Sequence, residues 1–222
     1  MKRIIIICEG DTEQEFCQDV LAPHFARFNM TIDSPSIKKS HGGIVPWNSL
    51  KTQIIHHLGE DNSIVTLLID YYGIKEQFQF PGWEDSFKIE NKQDRIHFLL
   101  KKMKMDIPDD LRYRFYPYIQ LHEFEGLLFS DISAFKDSFE EDEANFKEIE
   151  STILQFDSPE DINSSPKTAP SKRLIMAIPG YDKVVYGSCL AEKIGLDTIR
   201  SKCPLFNEWL ISLEKINTSS YE

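Results

Sequence analysis

Apolar and polar positions along the chain describe an alternation of strands and helices followed by a helical tail. Arg3 to Cys8 (RIIIIC) is an unbroken apolar run, and Ser63 to Asp70 (SIVTLLID) is a second. Runs that are apolar on both faces fit strands of a parallel sheet covered by helices on either side. Thr31 to Lys38 reads as a further strand weakened by Pro35. Tyr113 to Leu121, with its alternating aromatics, reads as a fourth.

Helical spacing fills the intervals. Thr12 and Glu15 have the spacing of a capping box, so a helix is expected to start there. Phe16, Val20 and Leu21 give it an apolar stripe that fades near Asn29, and Pro23 is a candidate kink. Trp47, Leu50, Ile54 and Leu58 mark a second helix. Ile96, Leu99, Leu100 and Met103 mark a third over Gln93 to Met105. Residues 71–90 read as a long aromatic loop.

The order β, α, β, α, β, α, β predicts an α/β fold with a mostly parallel sheet flanked by helices. This core is expected over residues 1–130. Residues 131–222 are expected to form a helical C-terminal extension packed on it. There, acidic helical segments cover 131–156, a polar loop SPEDINSSPKTAPSK follows, and Phe206, Trp209, Leu210 and Leu213 stripe a last helix opened by Pro204.

Composition narrows the function. The formal net charge is -11, from 25 Lys and Arg against 36 Asp and Glu. That argues against a non-specific duplex binder, which neutralises phosphates with surplus basic residues. It leaves open a nuclease with acidic metal ligands. The four cysteines Cys8, Cys17, Cys189 and Cys203 form no CxxC pair, so zinc is not expected and reduced buried thiols are. No apolar run reaches the ~20 residues of a membrane span, and MKRIIIICEG is too short and too soon acidic for a signal peptide. A cytoplasmic protein with no membrane partner is expected.

In open sheets of this kind ligands bind beyond the carboxyl ends of the strands. Three predicted strands end in acid: the first in Glu9, the third in Asp70, the last in Glu123 and Glu125 of His122-Glu-Phe-Glu. As parallel neighbours they bring carboxylates to one edge of the sheet, which suits Mg²⁺ or Mn²⁺ completed by water. Glu13 stands near the start of the first helix, whose N-terminus favours its charge with or without a metal. If the chain is extended at Glu123, residues 123 and 125 share a side; if helical, they diverge. Singly, each acid also reads as a turn or capping residue.

Cys-Glu9-Gly10-Asp-Thr-Glu13 resembles the EGxTE start of Toprim-like nucleases related to the overcoming-lysogenization-defect family. That resemblance implies a βα-alternating core, a Glu after the first strand, a DxD after the third, and Mg²⁺-dependent chemistry on phosphodiesters. Here the third-strand motif is Asp70-Tyr71-Tyr72, so the second Asp is missing unless Glu123 or Glu125 replaces it. The chain more closely resembles domain of unknown function 4276. The carrying segments are Glu9 to Glu13, Ile69 to Gly73, Phe80-Pro-Gly, His122 to Phe129, Pro170-Ser-Lys172-Arg173-Leu and Cys203-Pro-Leu-Phe-Asn-Glu-Trp209. Members of that family resemble the Toprim half of ATPase-plus-nuclease pairs in bacterial defence against phage, which implies an AAA/ABC-type ATPase partner.

Lys167, Lys172 and Arg173 are candidates to meet the scissile phosphate, with Lys183 a weaker one. Tyr71, Tyr72, Phe78, Phe80 and Trp83 either stack bases or cover the core. His41 and His122 are weaker candidates, for phosphate contact and proton transfer. The leading expectation is a metal-dependent phosphodiesterase acting on DNA or RNA, with Glu9, Glu13, Asp70, Glu123 and Glu125 as the metal set and Glu9, Asp70, Lys172 and Arg173 as the catalytic set. A catalytically idle module that regulates an ATPase, or a small-molecule phosphohydrolase, fits the same acids.

Overall fold

Four consecutive isoleucines, Ile4 to Ile7, place β1 (Lys2–Cys8) at the centre of the sheet, where both faces are covered. The computed structural model describes residues 2–38, 43–163 and 168–218; His41 and Lys167 lie outside them. In chain order β1 is followed by α1 (Asp11–Phe16), a π-helical turn over Cys17–Leu21, α2 (Ala22–Ala26), β2 (Met30–Asp33), α3 (Trp47–Leu58) and β3 (Ser63–Leu68). Next come α4 (Trp83–Ser86), α5 (Lys92–Met105), β4 (Phe115–Tyr116), α6 (Ile132–Lys136), α7 (Phe146–Gln155) and α8 (Pro170–Ala177). The chain closes with α9 (Lys183–Ile194), α10 (Leu196–Lys202) and α11 (Pro204–Thr218). The expected architecture is observed: an all-parallel sheet in the order β2-β1-β3-β4, flanked by helices, with a helical C-terminal region.

β1 and β3 are adjacent, parallel and central. Their register runs from Arg3 opposite Ser63 to Cys8 opposite Leu68, so the two strands end side by side. From β1 the chain goes to β2 on one flank and then returns to β3 on the other. That reversal is a topological switch point, the crevice where open α/β sheets bind ligands.

Several local expectations are corrected. The first helix starts at Asp11, one residue before the expected cap, so the capping acid is Glu13: it accepts from the Gly10 N–H at 2.9 Å, and Glu15 is exposed. Pro23 does not kink a regular helix. The turn before it widens, with the Ala22 N–H bonded to the Cys17 carbonyl five residues back. This accommodates a proline ring that has no N–H and collides with the preceding turn of an α-helix. β2 ends at Asp33, ahead of Pro35, with one isolated bridge from Ser36 to Cys8. β4 is two residues long because Pro117 interrupts the ladder, which resumes only as a bridge between Gln120 and Asp70. The end of the expected polar loop is helical from Pro170.

The C-terminal helices complete the core. Trp209 of α11 stacks on Tyr118 with ring centroids 4.5 Å apart, and its indole N–H donates to Thr66 Oγ1 at 2.8 Å. Thr66, the polar residue inside the β3 run, thus satisfies a buried indole. Glu160, fully buried, accepts from the N–H groups of Leu205 and Phe206 at 3.0 and 2.9 Å, capping α11 from a distant part of the chain. No helix among the described residues is long and apolar enough to cross a membrane.

Candidate active site

Glu9 leaves the end of β1 and turns across the crevice to β3. Its Oε2 accepts from the Asp70 N–H at 2.9 Å. The approach is close because residue 73 is glycine: a Cβ there would stand 3.0 Å from Glu9 Oε1, 3.2 Å from Oε2 and 2.5 Å from Ile44 Cγ1. Asp70 in turn accepts from the Phe124 N–H through Oδ1 at 2.9 Å, fixing the start of a 3₁₀ segment over Phe124–Ser130. The chain is extended at Glu123 and helical from Phe124, so Glu123 and Glu125 diverge. Glu125 turns inward and is 3% exposed. Glu123 turns to α8, where Oε2 accepts from the Ser171 N–H at 2.9 Å.

Glu9, Glu13 and Asp70 line one cavity of about 520 Å³ together with Thr12, Gly43, Ser36 and Lys183. Glu125 is not among the lining residues but acts electrostatically on Glu9, Asp70 and Lys183. Burial pushes the Glu9 carboxyl up to about 7 against the hydrogen bond from Asp70, with Glu13 and Glu125 adding repulsion and Lys183 relieving it. Burial likewise raises Glu125 to about 7, against its own backbone N–H and Lys183 and with Glu123 and Glu13 adding to the rise. Glu13 is raised by burial. Asp70 is raised strongly, by burial and then by Glu9, Glu13, Glu125 and Glu123. Burial acts to lower the Lys183 ammonium, and the summed attraction of Glu125, Glu13, Asp70 and Glu9 outweighs it, so the lysine stays charged.

Among the described residues the cation lining the cavity is Lys183, held at the first turn of α9 by Asp182, whose side chain accepts from the Val184 and Val185 N–H groups. Lys172 is exposed on α8 and does not line the cavity. Arg173 joins α8 to α7: Nε donates to the Thr168 carbonyl at 2.9 Å, Nη1 to Thr152 Oγ1 at 3.2 Å, and the guanidinium lies over the Phe156 ring. The aromatic segment covers the core. Phe80 and Trp83 are buried, Tyr71 packs on Trp83, and Tyr72 packs on His122. His122 adopts a left-handed backbone (φ 70°), and burial, with Lys92 3.3 Å from Nε2, lowers its pKa to about 4, so it is neutral.

Among the described residues no three His, Cys, Asp or Glu side chains are arranged to hold an ion as they stand. The donor set nonetheless suits a hard cation of the Mg²⁺ kind, which needs one or two carboxylates and keeps several waters. Glu9 and Asp70 each bond one oxygen to a backbone N–H and have a second oxygen; Glu13 and Glu125 add charge beside them. A divalent cation relieves the repulsion that otherwise drives these groups to protonate.

Sequence reasoning ranked Lys183 below Lys172 and Arg173 as the cation of the site, because its place in the cavity depends on α9 packing against α1. It also missed Gly73, whose role appears only once Glu9 crosses to it. No curated protein and no solved structure matches the chain. The family described as a domain of unknown function (DUF4276) matches residues 8–214, and the chain belongs to that family.

Proposed function

We propose that this protein is a metal-dependent phosphodiesterase of Toprim type acting on nucleic acid, working with an ATPase partner in bacterial defence. The observation that carries the reading is the meeting of Glu9, Glu13 and Asp70 at the β1/β3 switch point, in one cavity with Lys183, with Glu125 acting on them electrostatically. Glu9 and Asp70 are the residues to hold Mg²⁺ or Mn²⁺, with Glu13 and Glu125 setting the charge around them. A bound divalent cation supplies Lewis acidity toward a phosphoryl oxygen and makes bound water more acidic. In the alternative arrangement in which Asp70 holds the ion without it, Glu9, raised to about 7 by burial, is instead the group suited to take or return a proton at neutral pH. Lys183 offsets the negative charge that builds on a phosphoryl group in displacement.

A second reading, an idle module that regulates its ATPase, is favoured by one observation. Tyr72 stands where the resemblance calls for a second Asp, and its ring is committed to His122 at 5.4 Å. Cleavage of labelled DNA, RNA and tRNA with Mg²⁺ or Mn²⁺, with and without the ATPase, separates the two. The enzyme reading expects little cleavage by the chain alone, more with the partner, and loss in Glu9→Gln with the fold intact. Full activity in Glu9→Gln, or no cleavage under any of these conditions, overturns it; the second result leaves the regulatory module.

A further inference from the structure

A groove of about 790 Å³ opens at the end of the sheet away from Glu9. Lys2 begins β1, Ser63 and Ile64 begin β3, and Arg114 stands just ahead of β4. The groove therefore runs along the amino ends of the parallel strands, roughly 20 Å from the acidic cavity for a strand of the length of β1. The last turns of α11 form its other side, with Ile211, Lys215 and Ile216. Ile64, Ile211 and Ile216 give it an apolar lining, which the rings of Tyr113 and Tyr116 extend.

The charge of the groove runs against that of the chain. Among the described residues its lining has three cations, Lys2, Arg114 and Lys215, and one acid, Glu208, in a protein of net charge -11. Glu208 is also paired with His97 at 2.7 Å. Hydrogen bonds set the cations in place: Lys2 Nζ donates to the Ile216 carbonyl at 2.6 Å, and Arg114 Nη1 donates to the Ser63 carbonyl and Oγ, both at 3.3 Å. The Arg114 guanidinium lies 5.7 Å over the Tyr113 ring, and Tyr113 stays 67% exposed. Aromatic rings set among cations are what hold single-stranded nucleic acid, the ring stacking a base and the cations meeting the backbone. The three cations sit on separate elements, which suits successive phosphates of a strand better than the one group of a mononucleotide. A base stacked on so exposed a ring also stays open to solvent, as in a strand passing over the surface.

We infer that this groove is a docking site for single-stranded nucleic acid, with a base stacked on Tyr113 and backbone phosphates against Lys2, Arg114 and Lys215. The inference rests on the proposed reading of nucleic acid as substrate and deepens it, by placing a strand-holding site at the opposite end of the sheet from the acidic cavity. A duplex keeps its bases stacked on one another and cannot use the ring. An acidic peptide of a partner protein, drawn by charge alone, is the competing occupant.

The test is fluorescence anisotropy of a labelled oligothymidylate with the full chain, at low salt and in chelator, which stops metal-dependent cleavage. Wild type is expected to bind the strand more tightly than the same sequence in a duplex, poly-glutamate or thymidine monophosphate. Tyr113→Ala should weaken binding about tenfold or more, the scale of one base–ring stack, with Tm unchanged because the ring is exposed. Tyr113→Phe should keep the affinity. Lys215→Glu should weaken binding and flatten its salt dependence, and Lys147→Glu, the same charge change on α7, should do so far less. The site is overturned by a wild type that binds no strand, by wild-type affinity in both Tyr113→Ala and Lys215→Glu, or by poly-glutamate, duplex or mononucleotide bound as tightly as the strand. Mg²⁺-dependent cleavage in a chain that binds no strand in chelator defeats the docking site alone. Strand binding that needs Tyr113, in a chain that cleaves no nucleic acid, upholds the docking site and defeats the nuclease reading.

Discussion

Glu125→Gln should stabilise the protein, and by an amount that depends on pH. Glu125 is 3% exposed, and its carboxyl is raised to about 7 by burial, then by Glu123 and Glu13. In the unfolded chain it titrates near the usual carboxylate value of about 4.5. Between those two pH values the folded protein binds the proton more tightly than the unfolded chain, so stability falls as pH rises. Below about 4.5 the group carries no penalty; above about 7 the full penalty is present, roughly 3 kcal/mol for a shift of this size. Glutamine is close in shape and neutral at every pH. In chelator, Glu125→Gln should match wild type within about 1 kcal/mol near pH 4.5 and exceed it by up to about 3 kcal/mol near pH 8. Loss of one partner for Lys183 trims the gain. His57 and His122, both lowered by burial, act on stability with the opposite sign. They are present in both proteins and drop out of the difference. Urea unfolding across a pH series reads the effect as a shift in midpoint at constant slope. A Glu125→Gln variant less stable than wild type near pH 8, or a gap that does not change with pH, would refute the reasoning.

The remaining predictions concern the surrounding framework. Gly73→Ala should cost about 1–3 kcal/mol by overpacking against Ile44 and should displace the Glu9 carboxylate; urea unfolding and the Mg²⁺ response read the two effects. Glu160→Ala should destabilise the chain near pH 5, where two buried N–H groups at the start of α11 lose their acceptor, and cost less near pH 8, because burial raises that carboxyl to about 7 and its charge is then itself a penalty; a larger cost near pH 8 than near pH 5 contradicts that. Lys183→Met should destabilise the chain near pH 8 and much less near pH 5, since the acids it faces, with Glu9 and Glu125 near 7, then take up protons; thermal melts in chelator at the two pH values check it.

The parts of the fold legible in the sequence are those whose signal is local. β1 and β3 are buried on both faces, so the requirement for uninterrupted apolar residues is written in a single run. With both placed as parallel neighbours, the juxtaposition of Glu9 and Asp70 follows from register. β4 was legible as a strand within Tyr113 to Leu121 but not in its length, because it is an edge strand whose pairing Pro117 breaks after two residues, while the aromatic alternation around it comes from packing under α11. Glu13 was separable from Glu15 as the capping acid only by knowing that the helix starts at Asp11. Glu160 carries no local mark, and Lys183 stood out in the sequence only as a weaker candidate. One meets backbone more than forty residues away, and the other reaches the cavity only because Gly187 lets α9 close on Thr12 of α1.

The central claim is that the β1/β3 crevice holds a divalent cation, and thermal melting of wild type and Asp70→Asn with Mg²⁺ or Mn²⁺ against chelator tests it most directly. A ligand that binds only the folded site at about a hundred times its dissociation constant adds about 2.7 kcal/mol to stability. The account predicts a clear upward shift in Tm for wild type, larger near pH 8 than near pH 5 because the acids must be ionised to bind, and no shift in a folded Asp70→Asn. No shift in wild type, or an equal shift in both proteins, would contradict it.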